Sequence, residues 1–127
     1  MGERNGKDLK ILVVEDFEDT RLVLRLALED HGFIVFEAEN GQKAVESANR
    51  DNPDVILMDL TMPLMDGFAA AKLIRQNDQF KNVPIIAITA HQETDFRSDA
   101  KASGFDAYVT KPIDVNWLKE LIDGLLI

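Results

Sequence analysis

Five short runs of branched apolar residues punctuate this chain: LKILVV at 9–14, FIVFEA at 33–38, DVILMD at 54–59, PIIAIT at 84–89 and DAYV at 106–109. Each is too short for a helix, and the inner ones hardly alternate, which is how a strand covered on both faces of a parallel sheet reads. Between them lie stretches with helical spacing. Leu22, Val23, Leu26 and Ala27 recur through 19–31, with Gly32 placed for a left-handed cap. Asn40 caps a second helix carrying Ala44, Val45 and Ala48, which must end before Pro53. A loop over 61–67, with Pro63 and Asp66-Gly67, leads to a helix containing Phe68, Ala71, Leu73 and Ile74. The 92–103 stretch has helical length but few apolar groups, chiefly Phe96, Ala100 and Ala102, so weak anchoring is expected before Gly104 ends it. Asp114 caps a last helix whose inner side is read as Trp117, Leu118, Leu121, Ile122 and Leu125. Five strand-helix units in strict alternation predict an α/β fold, a doubly wound five-stranded parallel sheet.

Composition narrows what such a fold can meet. With 23 acidic against 14 basic residues the formal charge is -9, and no Lys/Arg cluster interrupts it. That surface repels phosphodiester backbones and anionic lipid alike, so neither direct nucleic-acid binding nor membrane binding is expected. The absence of cysteine excludes disulfides, thiolate zinc sites and thiol nucleophiles. No apolar run approaches the roughly 20 residues that cross a bilayer, and the charged start is no secretory signal, so a cytoplasmic protein is expected. At 127 residues the chain fits one domain, read as a flexible leader over 1–8 and a folded unit over 9–127.

The functional signal lies where the apolar runs stop. Glu15 and Asp16 follow the first, Asp59 the third, Thr89 the fourth and Lys111 the fifth, and in a parallel sheet these ends share one edge. Carboxylates from neighbouring strands about 5 Å apart would repel by about 3 kcal/mol at an effective dielectric near 20. A hard divalent cation relieves this, and few carboxylates with open water positions favour Mg²⁺ over Ca²⁺. Glu15 or Asp16 alone reads equally well as a helix-start acid favoured by the macrodipole. Lys111 and Thr89, each an ordinary loop residue when taken singly, would together offer an ammonium and a hydroxyl to an oxyanion. Phosphoryl transfer needs these parts, with Asp59 as the nucleophile on offer.

The motifs ILVVED at 11–16, DVILMDLTMPLMDG at 54–67, PIIAITA at 84–90 and YVTKP at 108–112 resemble the receiver domain of bacterial two-component response regulators, over essentially 9–127. The resemblance implies a three-layer, flavodoxin-like fold with strand order 2-1-3-4-5. It also implies that Asp59 accepts a phosphoryl group from a phosphohistidine on a sensor histidine kinase or histidine phosphotransfer protein. Asp16 would bind Mg²⁺ directly and Glu15 through water, with Asp59 and the carbonyl of Thr61 as further ligands. Glu15 stands where many members carry Asp. Thr89 and Tyr108 match the family's switch pair, and Lys111-Pro112 its cis peptide. Thr61, Ala90, His91 and Pro112 take the pocket-rim positions. The phosphorylated form would signal to an unidentified downstream protein through the face made by the 92–103 helix, the fifth strand and the last helix, and that face also suits a homodimer. The domain would assist its own phosphorylation and slow dephosphorylation without being an enzyme in the usual sense.

Other classes stay open at this point. An aspartate-based phosphate-ester hydrolase usually wants a second carboxylate two residues on, where this chain has Thr61. A flavin or nucleotide carrier needs a phosphate cradle after the first strand, where Glu15-Asp16 repels one, and no G-x-G-x-x-G occurs. A receiver-like module that binds partners without phosphorylation is the third.

Overall fold

The computed structural model describes residues 9–60, 65–89 and 104–126. The expected leader over 1–8, the 92–103 helix and the rim positions Thr61, Ala90 and His91 lie outside them. The described elements run β1 (Lys10–Val14), α1 (Glu18–Asp30), β2 (Ile34–Ala38), α2 (Gly41–Asp51), β3 (Val55–Asp59), α3 (Gly67–Arg75), a short 3-10 turn (Asp78–Phe80), β4 (Ile85–Thr89), β5 (Ala107–Thr110) and α4 (Val115–Leu125). The strands form one parallel sheet in the order β2-β1-β3-β4-β5.

Successive side chains of a strand point to opposite faces, and the three inner strands fill both. Leu12, Val14, Ile56, Met58, Ile85 and Ala87 meet Ala44, Ala48, Ala70, Ala71 and Ile74 of α2 and α3. Ile11, Val13, Val55, Leu57, Ile86 and Ile88 meet Leu24 and Leu28 of α1 and Leu118 and Ile122 of α4. The alanines of α2 and α3 let those helices approach the sheet closely. Caps set the helix limits: Asn40 accepts from Lys43 N, Asp66 from Ala69 N and Asp114 from Asn116 N and Trp117 N. Gly32 takes a positive φ of 94° just after α1, the left-handed position anticipated for it.

Two inward faces differ from the expectation. On α1 the buried residues are Leu24 and Leu28, whereas Leu22, Val23 and Leu26 face solvent. Both sets have helical spacing, so periodicity alone could not choose between them. On α4 Leu118 and Ile122 are buried, while Trp117 is 50% exposed and does not join the inner side. Packing of Leu118 and Ile122 into the core against the sheet selects the face that α4 buries. No helix among the described residues is long and apolar enough to cross a membrane.

Candidate phosphoacceptor site

The chain leaves β1 toward β2 on one side, while β3 pairs on the other side of β1. The carboxyl ends of β1 and β3 therefore bound the crevice where such sheets bind ligands. Val14 is in register with Met58, which sets Glu15 across from Asp59. Glu15 N extends the β1–β2 ladder by donating to Ala38 O at 3.1 Å. On the far side, Thr89 pairs with Thr110, and Lys111 N donates to Thr89 O at 2.8 Å. From that anchor the lysine side chain reaches across β4. Its Nζ lies 3.4 Å from Asp59 Oδ2 and 3.2 Å from Glu15 Oε1. The peptide Lys111-Pro112 is cis, and Pro112 is exposed.

The sheet thus brings Glu15, Asp16, Asp59, Thr89 and Lys111 to one edge, as the sequence implied. Glu15, Asp59 and Thr89 are buried there, while Asp16 is exposed. Tyr108 is half-buried against the α2–α3 side of the core, in register with Ala87. By strand alternation Tyr108 and Thr89 share that face. Gly67 closes the floor of the crevice. A Cβ there would sit 2.6 Å from Asp59 O and 3.0 Å from Leu60 Cα, so only glycine lets α3 start against the end of β3.

Charge is unbalanced at this edge. Oxygens of Glu15, Asp16 and Asp59 lie within 4.8 Å of one another. Glu15 Oε2 accepts from Phe17 N at 3.1 Å. Its Oε1 is buried and, although Lys111 is at ion-pair distance, makes no aligned hydrogen bond. Burial pushes the Glu15 carboxyl up to about 7, and the neighbouring Asp59 carboxylate adds to the rise against the Phe17 amide. Partial burial pulls the Lys111 ammonium down, but the Glu15 and Asp59 carboxylates outweigh it and its pKa is raised.

Among the described residues the donor set fits a hard cation: three carboxylates, one buried oxygen without an aligned hydrogen bond, and no histidine or thiol. Ligands in direct contact with one Mg²⁺ at about 2.1 Å lie at most about 4.2 Å apart. The three acids lie within 4.8 Å of one another, close enough that a carboxylate not in contact with such an ion could still reach it through water. Two arginines that the sequence does not single out hold backbone around the sheet edges. Arg21 donates to Glu15 O at 2.9 Å from α1. Arg75, at the opposite sheet edge, donates to backbone carbonyls of Gly104, Phe80 and Val83. No local motif signals either, because their partners, the carbonyls and the carboxylates of Glu37 and Asp106, are brought to them by the sheet and not by sequence spacing.

Comparisons with known proteins agree with this geometry. Residues 11–123 match the family model described as "Response regulator receiver domain". Protein PilH of Pseudomonas aeruginosa is 37% identical over 92% of this chain and 97% of its own length. The structure of the chemotaxis protein CheY4 of Vibrio cholerae superposes with a TM-score of 0.88 at 30% identity, covering 92% of this chain and 98% of that one. The receiver domain of sensor histidine kinase PA1611 from Pseudomonas aeruginosa, solved with a magnesium ion coordinated in the active site cleft, gives 0.85 at 33% identity, covering 93% and 97%. The chain belongs to the receiver domain family of two-component response regulators.

Proposed function

We propose that Asp59 is the phosphoacceptor of this receiver domain and takes its phosphoryl group from a phosphohistidine on a sensor histidine kinase or histidine phosphotransfer protein. The observation that carries the reading is the meeting, at one sheet edge, of a buried aspartate, a lysine 3.4 Å from its carboxylate and two further acids within ligand range. An Asp59 oxygen attacks phosphorus, the P–N bond breaks, and its electron pair returns to the imidazole nitrogen of the donor. Lys111 Nζ holds one phosphoryl oxygen and the Thr89 hydroxyl donates to another. Asp16 and Asp59 would hold Mg²⁺ directly, with Glu15 through water and the Thr61 carbonyl beside them, and the ion would neutralise charge on the phosphoryl oxygens. Hydrolysis returns the carboxylate when water attacks phosphorus and the P–O bond to Asp59 breaks, releasing inorganic phosphate; Thr61, Ala90, His91 and Pro112 are the positions that the resemblance gives as the pocket rim.

Phosphorylation adds about one negative charge and three acceptor oxygens to the crevice. Thr89 is drawn toward them, and Tyr108 turns inward into the space vacated near Thr89. The surface around β5 and α4 changes with it, which alters affinity for a downstream protein in the cytoplasm or for a second copy of the chain. Intact mass after incubation with acetyl phosphate and Mg²⁺ tests the acceptor. Wild type gains one phosphoryl group and Asp59→Asn gains none; a gain in both moves the site elsewhere.

A further inference from the structure

The loop that carries the acid pair is gripped from behind. Arg21 Nη1 donates to the carbonyl of Glu15 at 2.9 Å, on the peptide that joins Glu15 to Asp16. The same guanidinium donates through Nε to Glu37 Oε1 of β2 at 3.1 Å. Arg25, one turn along α1, donates to the other oxygen of Glu37 at 3.0 Å. Two arginines therefore pin one carboxylate, and the carboxylate fixes the plane of the Arg21 guanidinium. With Glu15 N bonded to Ala38 O, both backbone polar groups of Glu15 are held toward β2. The Arg21 side chain is only 16% exposed, so water competes poorly for the carbonyl.

We propose that Arg21 is a positioning residue for the divalent-cation site: by fixing the Glu15–Asp16 peptide, it fixes the directions in which both carboxylates leave the backbone. The inference rests on the reading of Glu15, Asp16 and Asp59 as a cation site. Mutual repulsion drives these carboxylates apart when no cation is bound, and a rotating peptide would let Asp16 swing into solvent. A planar fork can serve Glu37 and the Glu15 carbonyl together in one geometry, whereas a lysine ammonium supplies the charge without the plane. Arg25 shares the tie between α1 and β2 but does not touch the acid loop, which separates positioning from plain fastening of the helix.

Mg²⁺ titrations at fixed pH, followed by backbone amide shifts of Asp16 and Asp59, test this in wild type, Arg21→Gln, Arg21→Lys and Arg25→Gln, beside the melting temperature of each without metal. Loss of an outer-shell partner typically weakens metal binding 10- to 100-fold, so Arg21→Gln is expected to bind Mg²⁺ about tenfold more weakly. Arg21→Lys is expected to lose about threefold, keeping the charge but not the fork. Arg25→Gln is expected to stay within about twofold of wild type, since it leaves the Glu15 carbonyl gripped. Arg21→Gln within twofold of wild type, or Arg25→Gln weakened as much as Arg21→Gln, overturns the proposal, whatever the melting temperatures do. Should Arg21→Gln fail to fold, Arg21→Lys decides the matter: unchanged affinity overturns it and a threefold loss supports it. A wild type that binds no Mg²⁺ removes the cation-site reading itself, and this inference with it.

Discussion

The two edges of the sheet are both lined with acids, and they treat them oppositely. At the amino-terminal edge, Asp54 accepts from Lys10 N at 2.9 Å, and Asp106 accepts from Ile85 N at 2.9 Å and from Arg75 at 2.8 Å. Each carboxylate there substitutes for a missing strand neighbour and satisfies a backbone donor that the ladder leaves over. At the carboxyl-terminal edge, Glu15, Asp16 and Asp59 crowd together, Lys111 is shared between two of them, and one buried oxygen lacks an aligned donor. The chain saturates its own acids where strands begin and leaves a surplus of anion where strands end. That surplus is what makes the second edge responsive to a cation or a phosphoryl group.

The contrast is tested hardest at Arg75. Its guanidinium reaches the carbonyls of Gly104, Phe80 and Val83 at 2.6 to 2.7 Å and the Asp106 carboxylate at 2.8 Å, tying the end of α3 to the entries of β4 and β5. Arg75→Ala strands the three carbonyls and is expected to cost about 4 kcal/mol of stability, on the order of 1 to 2 for each acceptor left without its donor, while the partly exposed Asp106 end of the ion pair adds little. Urea unfolding measures the loss. Mg²⁺ affinity should stay that of wild type, because nothing in this clasp touches the other edge; a matching drop in affinity would merge the two edges into one coupled unit.

A smaller effect is expected from pH at the opposite edge. The Glu15 carboxyl ionises near 4.5 in an unfolded chain and at about 7 in the folded one, so the folded state holds its proton more tightly. The metal-free protein therefore has this contribution intact below about pH 4.5 and loses it as pH rises through about 7, a penalty on the order of 3 kcal/mol. Unfolding midpoints across that window should fall with pH in metal-free wild type, and the fall should vanish in Glu15→Gln or with saturating Mg²⁺. A stability that climbs over the same window would mean the acids are already neutralised by the chain.

How far the sequence reveals each edge follows from the same difference. Glu15, Asp16, Asp59, Thr89 and Lys111 were visible because each stands directly after an apolar run, and a parallel sheet must bring such positions together. The caps at Asn40 and Asp114 are equally local. Arg75 and Arg21 are not legible, since the carbonyls they serve carry no residue type and their acidic partners, Asp106 and Glu37, lie far off in sequence among many other acids. The faces of α1 and α4 were misread for a related reason: Leu22, Val23, Leu26 and Trp117 keep helical spacing while facing solvent. An apolar residue on a surface helix costs little to expose, and only the rotation set by caps and packing decides which stripe is buried.

The smallest effect has the most telling sign. Replacing Asp by Asn keeps the shape and one acceptor oxygen but removes the charge, so the same substitution asks each edge whether it wants that charge. Asp106→Asn weakens a charge-assisted pair with Arg75 at a partly exposed site and is expected to lower stability by about 1 kcal/mol, with or without Mg²⁺. Asp59→Asn relieves repulsion toward Glu15 and Asp16 but gives up attraction to Lys111 at 3.4 Å. Above about pH 7, where Glu15 is ionised, two unfavourable pairs against one favourable one leave a net gain of about 1 kcal/mol in the metal-free protein. With saturating Mg²⁺ the order reverses, because wild type gains binding energy that the variant has lost. Thermal melts of both variants, each with and without Mg²⁺, show the crossing; equal destabilisation by the two substitutions in metal-free buffer would mean that both edges use their acids in the same way.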